Sequence, residues 1–180
     1  MPMTIYKFAV CENQEWIVPV SAEDFETFFA MDGRAIQGWA PPVMTMLEAD
    51  HGAEEPSYSD FPWLGEHAPI LKKPAVEALA PVLTRYGQLM PLKGEDVWLF
   101  NVTNVLDALD KERSSIVYFD DGDILDIERY VFKVEIIGSA EIFKLPTRGS
   151  PVFVTDGFVT RVRDLGMRGV SFAPLWTSGE

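Results

Sequence analysis

The side chains that could do chemistry are few and scattered. Asp60 and His67 flank Trp63, and a carboxylate and an imidazole beside an aromatic wall have the makings of an acid/base site or a small-molecule pocket. The other histidine, His51, lies 16 residues before His67 with no cysteine near either, which is no zinc spacing. Cys11 is the single cysteine. It cannot form an internal disulfide, has no histidine near it in sequence, and reads as a small buried hydrophobe in an apolar segment. Asp120-Asp121-Gly122-Asp123 has the composition of a calcium loop, but with Gly122 at the invariant glycine, Val117 and Phe119 stand where carboxylates are needed. The turn reads instead as the tip of a β-hairpin. There is no phosphate-cradling glycine pattern and no Gly-x-Ser-x-Gly. The expectation is a protein without catalytic residues, cofactor or metal, and the alternative is an enzyme or small-molecule binder built on Asp60, Trp63 and His67.

What the chain has in quantity is negative charge. Its 15 Lys+Arg against 28 Asp+Glu give −13, a balance that argues against nucleic acid as a ligand, since phosphate contacts need a basic footprint. Residues 1–66 hold 12 acids against Lys7 and Arg34, a net of −10, whereas residues 67–180 come to −3. A partner with a basic surface fits such a field. The densest part is the stretch from Glu48 to Asp60, which has no periodicity and carries Glu48, Asp50, Glu54, Glu55 and Asp60 with no Lys or Arg. Long aperiodic loops are commonly functional. Tyr58 adds an aromatic of the type enriched at interface hot spots. Glu48, Asp50, Glu54, Glu55, Tyr58 and Asp60 are therefore the candidate partner-binding residues.

These residues need a scaffold. Its centre is Val97-Trp98-Leu99-Phe100-Asn101-Val102-Thr103, dense in β-branched and aromatic residues and apolar enough to be covered on both faces. Upstream, Pro74 starts a helix with Val76, Leu79, Ala80 and Leu83 at helical spacing and Gly87 as its stop. Pro81 should kink it or split it in two. Thr4 to Val10 and Trp16 to Val20 read as strands, Pro19 marking an edge. Ser21 is placed to cap a helix whose Phe25, Phe28 and Phe29 share a face. Val43 to Leu47 alternates, with Val43, Thr45 and Leu47 on one side and Met44 and Met46 on the other, and both sides are fairly apolar. Val105 to Asp110 suggests a short helix. Strands are expected over 115–119, 124–128, 130–137, 142–145 and 151–154, followed by a helix capped by Thr155 with Phe158, Val162 and Leu165 along one face and Arg161, Arg163 and Arg168 solvated. Val170 to Phe172 returns as a strand, and Pro174-Leu175-Trp176 docks the C-terminus. The order predicts an α+β fold, a mainly antiparallel sheet with about three helices, in a single domain over 1–180. With no basic-then-apolar leader and no window near the ~18 apolar residues of a membrane span, a cytoplasmic protein is expected.

Five pieces in order, Asp60-Phe61-Pro62-Trp63-Leu64-Gly65, Ala75-Val76-Glu77-Ala78-Leu79, Trp98-Leu99-Phe100-Asn101-Val102, Ile142-Phe143-Lys144-Leu145-Pro146 and Pro151-Val152-Phe153-Val154-Thr155-Asp156, resemble an immunity-protein family of bacterial polymorphic toxin systems, the one numbered eleven. The resemblance covers roughly two-thirds of the chain and assigns no contact role to any residue. It implies a protein that binds and inactivates a cognate toxin; an adaptor with a non-toxin partner is the remaining alternative. Together with the missing export signal, it implies a toxin that acts in the cytosol.

Overall fold

The computed structural model describes residues 2–180. The elements in chain order are β1 (Thr4–Ala9), β2 (Ile17–Pro19), α1 (Asp24–Phe29), β3 (Met44–Met46), β4 (Ile70–Lys72), α2 (Lys73–Leu83), β5 (Gly87–Pro91), β6 (Val97–Val102), β7 (Ser115–Tyr118), β8 (Ile124–Arg129), α3 (Val134–Ile137), β9 (Ile142–Phe143), β10 (Phe153–Thr155), α4 (Asp156–Asp164) and β11 (Ser171–Thr177). The fold is α+β, and the antiparallel pairing is divided among four small sheets: β11-β1-β10-β9, β4-β6-β5, and the two-stranded β2-β3 and β7-β8.

β6 is the middle strand of its sheet, between β4 and β5, and it is covered on both sides. Successive side chains alternate across a strand. Phe100 and Val102 face a core with Leu71 and the α2 residues Ala75, Leu79, Val82 and Leu83, while Val97 and Leu99 face a second core with Ile17, Phe28, Met44, Ile70, Met90 and Leu92. This is why the segment is almost continuously apolar. A third core gathers around Phe153, whose ring lies 5.4 Å from those of both Phe132 and Phe143.

α2 begins as expected, with Pro74 in its first turn. It also runs through Pro81 to Leu83 as one helix. Proline there deprives only the carbonyl of Glu77 of its partner, and Glu77 is exposed, so water can serve that oxygen. α4 follows Thr155, whose extended backbone forms the cap without a side-chain bond. The carboxylate of Asp156 instead accepts the Thr4 N–H at 2.7 Å, tying α4 to β1.

Several elements differ from the sequence expectation. Ser21 does not cap α1: residues 21–23 form a turn, the cap falls at Glu23, and of the three phenylalanines only Phe28 is buried, Phe25 and Phe29 remaining exposed. Residues 105–110 form no helix but run extended, bridging Lys144 and Phe132. Residues 130–137 are not a strand. Val131 and Phe132 enter the third core and the chain then closes a single turn, α3. Cys11 is half-buried at a turn and not in the core. Pro174 and Trp176 belong to β11, an edge strand whose register shifts opposite Ile5 and Tyr6, the setting in which a strand tolerates proline.

In the β2–β3 ladder, Ile17, Pro19 and Met44 are buried and Met46 is half-buried. Ile17 pairs with Met46, Val18 with Thr45 and Pro19 with Met44. The alternation of residues 43–47 is therefore real, and the methionine side is the inner one.

Candidate partner-binding surface

The loop between β3 and β4 is built in two halves. Glu48, Asp50, Glu54 and Glu55 are all exposed, and the backbone there is held by a turn from Asp50 to Ala53. From Glu55 onward the loop is strapped down. Ser57 N–H donates to the Asn13 carbonyl at 2.8 Å and the Asn13 amide to the Glu55 carbonyl at 3.2 Å. The buried Gln14 amide donates to the carbonyls of Phe61 (2.6 Å) and Gly169 (2.8 Å), and its oxygen accepts the Cys11 N–H (2.9 Å). Gly169 is at φ +64, and a Cβ there would lie 2.6 Å from the Ser59 Cα, so only glycine lets the two backbones approach this closely.

Asp60 turns inward. It is 6 % exposed, and its carboxylate accepts the Tyr58 hydroxyl at 2.8 Å and the Arg168 N–H at 2.7 Å while its own N–H donates to the Arg168 carbonyl at 2.9 Å. Tyr58 sits at the loop's surface, with the Lys72 ammonium 4.1 Å and the Arg168 guanidinium 4.4 Å from its ring centre. Burial first, then the bond to Asp60, push the phenol's pKa up, which keeps it a donor. Lys72 pairs at 2.6 Å with Glu15, which also takes the Ser59 N–H at 2.7 Å. Glu15, Lys72, Tyr58, Asp60 and Arg168 thus form one network that fixes the loop's C-terminal end. Sequence reasoning missed Gln14, Glu15, Lys72 and Arg168, whose partners are 44 to 155 residues away or come from another element. Tyr58→Phe keeps the ring between its cations and removes the bond to Asp60. It is expected to lower stability by about 1 kcal/mol, measured by urea unfolding, and an unchanged midpoint would show that bond to contribute nothing.

The structure does not bring Asp60, Trp63 and His67 together as a site. Trp63 lines a crevice of about 10 Å³ with Phe8, Gln14 and Phe61, room for about one water, and neither Asp60 nor His67 lines it. His67 is edge-on to Phe29 at 5.5 Å. Burial and then the positive charge of Lys144 push its pKa down, against a weaker opposing pull from Glu66. Lys144 is 3 % exposed, and burial takes its pKa down to about 8, Asp32 drawing it partly back. Among the described residues no carboxylate lies within ion-pair distance of it, and no three His, Cys, Asp or Glu side chains group as metal ligands would.

The sequence model of the Imm11 immunity protein family matches residues 74–177. The chain belongs to that family. The match runs from the first turn of α2 to the last residue of β11, so the Imm11 portion holds β6, the hairpin β7–β8 and most of the first and third cores. The β2–β3 ladder, α1 and the acidic loop lie before it. No curated protein matches the sequence. Among the described residues no helix is long and apolar enough to cross a membrane.

Proposed function

We propose that this Imm11 protein neutralises a cognate toxin in the cytosol by binding it through the acidic surface of its first 66 residues, with no chemistry of its own and with neither nucleic acid nor membrane as a ligand. Membership of the immunity family carries the reading. The placement of Glu48, Asp50, Glu54 and Glu55 on an exposed, cation-free stretch supports it, because such a field raises the on-rate of a basic partner. The test is protection: co-expression should rescue cells from the toxin encoded in the neighbouring reading frame, and unrelieved killing by a folded protein would overturn the proposal.

The charge component has its own signature. Changing Glu48, Asp50, Glu54 and Glu55 to Gln or Asn should slow association on the order of tenfold at low salt while leaving dissociation nearly unchanged, and the difference should shrink toward physiological ionic strength. An on-rate indifferent to salt in the parent protein would remove electrostatic steering from the account. Within this surface Tyr58 serves as an anchor, and Tyr58→Ala should speed dissociation, at an affinity cost of about 2 kcal/mol.

A further inference from the structure

The β2–β3 ladder has two faces, and the inner one is the face that enters a core. Ile17 and Met44 are 0 % and 2 % exposed and belong to the second core. On the outer side three cross-strand pairs stand in a row. Trp16 is opposite Leu47, joined by the Leu47 N–H to the Trp16 carbonyl at 2.9 Å. Val18 is opposite Thr45. Val20 is opposite Val43, joined by the Val20 N–H to the Val43 carbonyl at 2.8 Å. Five of these six side chains are apolar. Trp16, Val20, Val43 and Leu47 are 41 %, 64 %, 46 % and 45 % exposed. Single exposed apolar residues need no explanation, but a contiguous row on a regular sheet face marks a contact surface. Trp16 is also braced, its ring 6.4 Å from that of Trp63, so it would bind with little loss of side-chain freedom.

The surroundings say what covers it. Residues 8–33 and 35–71 contain no Lys or Arg, and Glu12, Glu23, Glu48 and Asp50, which bracket the two strands in sequence, are all exposed. Lys93, bridged to Val43, places one cation at that end. A second copy of this chain would bring acid against acid, whereas a partner with an apolar centre ringed by Lys and Arg satisfies both the row and its rim.

We infer that the outer face of β2–β3, centred on Trp16, Val20, Val43 and Leu47, is the apolar centre of the toxin interface, with the loop from Glu48 to Glu55 as its acidic rim. The inference rests on the immunity reading above and adds to it the residues that hold the complex together. Its weight falls on dissociation, because desolvated aromatic and aliphatic anchors set off-rates while rim charges set on-rates.

The experiment compares four proteins against the purified product of the neighbouring toxin reading frame: the parent, Trp16→Ala, the double variant Val20→Ser with Leu47→Ser, and the hairpin variant Phe119→Ser with Leu125→Ser. Trp16→Ala should raise Kd about 30-fold, mostly through a faster off-rate. The Val20/Leu47 pair, which packs on nothing in the core, should raise it at least tenfold with unchanged melting, and the hairpin variant should bind like the parent. Full affinity in both ladder variants, or loss confined to the hairpin variant, overturns the inference and leaves immunity standing. A parent that sediments as a dimer and is made monomeric by the ladder substitutions would assign the face to self-association and also overturn it. A parent that neither binds nor protects defeats the immunity reading itself.

Discussion

Replacing Asp60 with alanine is expected to cost about 3 kcal/mol of folding stability in the absence of any partner. The carboxylate is buried and accepts both the Tyr58 hydroxyl and the Arg168 N–H. Its removal strands those two donors, one of them the hydroxyl of the ring that lies beneath the Lys72 and Arg168 charges. Asp60→Asn keeps an acceptor and should lose less. For a chain of this size the alanine variant should melt roughly 6–12 °C lower, and urea unfolding should give the same cost from its midpoint. A midpoint within error of the parent would show that the network does not brace the loop. If toxin neutralisation falls in Asp60→Ala, it should fall in proportion to the unfolded fraction, since on the proposed reading a carboxylate turned inward makes no contact with the toxin.

The opposite sign is expected at Lys144. Burial lowers its pKa from 10.5 to about 8, so near neutral pH the folded protein carries a desolvated ammonium. Between about pH 8 and pH 10.5 the unfolded chain binds the proton more tightly than the folded one, and stability should rise with pH across that window. Below pH 8 both states are protonated and the whole penalty stands. The fall from 10.5 to about 8 corresponds to about 3 kcal/mol. Lys144→Met keeps the stem's packing and removes the charge, and it should stabilise the protein by about that much at pH 7 while flattening the rise above pH 8. Tyr130, pushed up to about 12 mainly by burial, works in the other direction above pH 10, where the folded state holds the proton longer. The comparison therefore belongs at pH 7 and pH 9.5. The imidazole of His67 reports independently, since losing the adjacent positive charge should raise its pKa, observable by NMR titration. A variant no more stable than the parent at pH 7, with the His67 titration unmoved, would mean that the ammonium reaches solvent.

What could be read from the sequence was whatever a short window determines. β6 announced itself because cover on both faces leaves it few polar positions, α2 because Pro74 and the spacing of Leu79 and Leu83 fit one helical face, and the β7–β8 hairpin because Asp121-Gly122 supplies a turn. Residues 105–110 were misread because an extended segment bridging Lys144 and Phe132 is stabilised by partners more than 20 positions away. Phe25 and Phe29 look like core residues, and their spacing cannot reveal that the fold has room for Phe28 alone. The β2–β3 ladder shows the limit most directly. Alternation separated Val43, Thr45 and Leu47 from Met44 and Met46, but with both sets apolar nothing local says which is inside. The exposed row is set by Met44 joining Ile70 and Leu99 in the second core, contacts that lie far apart in sequence. The acids of the loop were legible as charge, whereas the strapping of its far end by Gln14, Lys72 and Arg168 was not.

β1 lies between β11 and β10, hydrogen-bonded to both, with Met3 and Ser178 exchanging two further bonds. β1 therefore waits for two strands that the ribosome makes well over a hundred residues after it. At about 5–20 residues per second, that interval is on the order of ten to thirty seconds, during which β1 lacks both of its strand neighbours. On the proposed reading, protection therefore comes from completed chains and not from nascent ones.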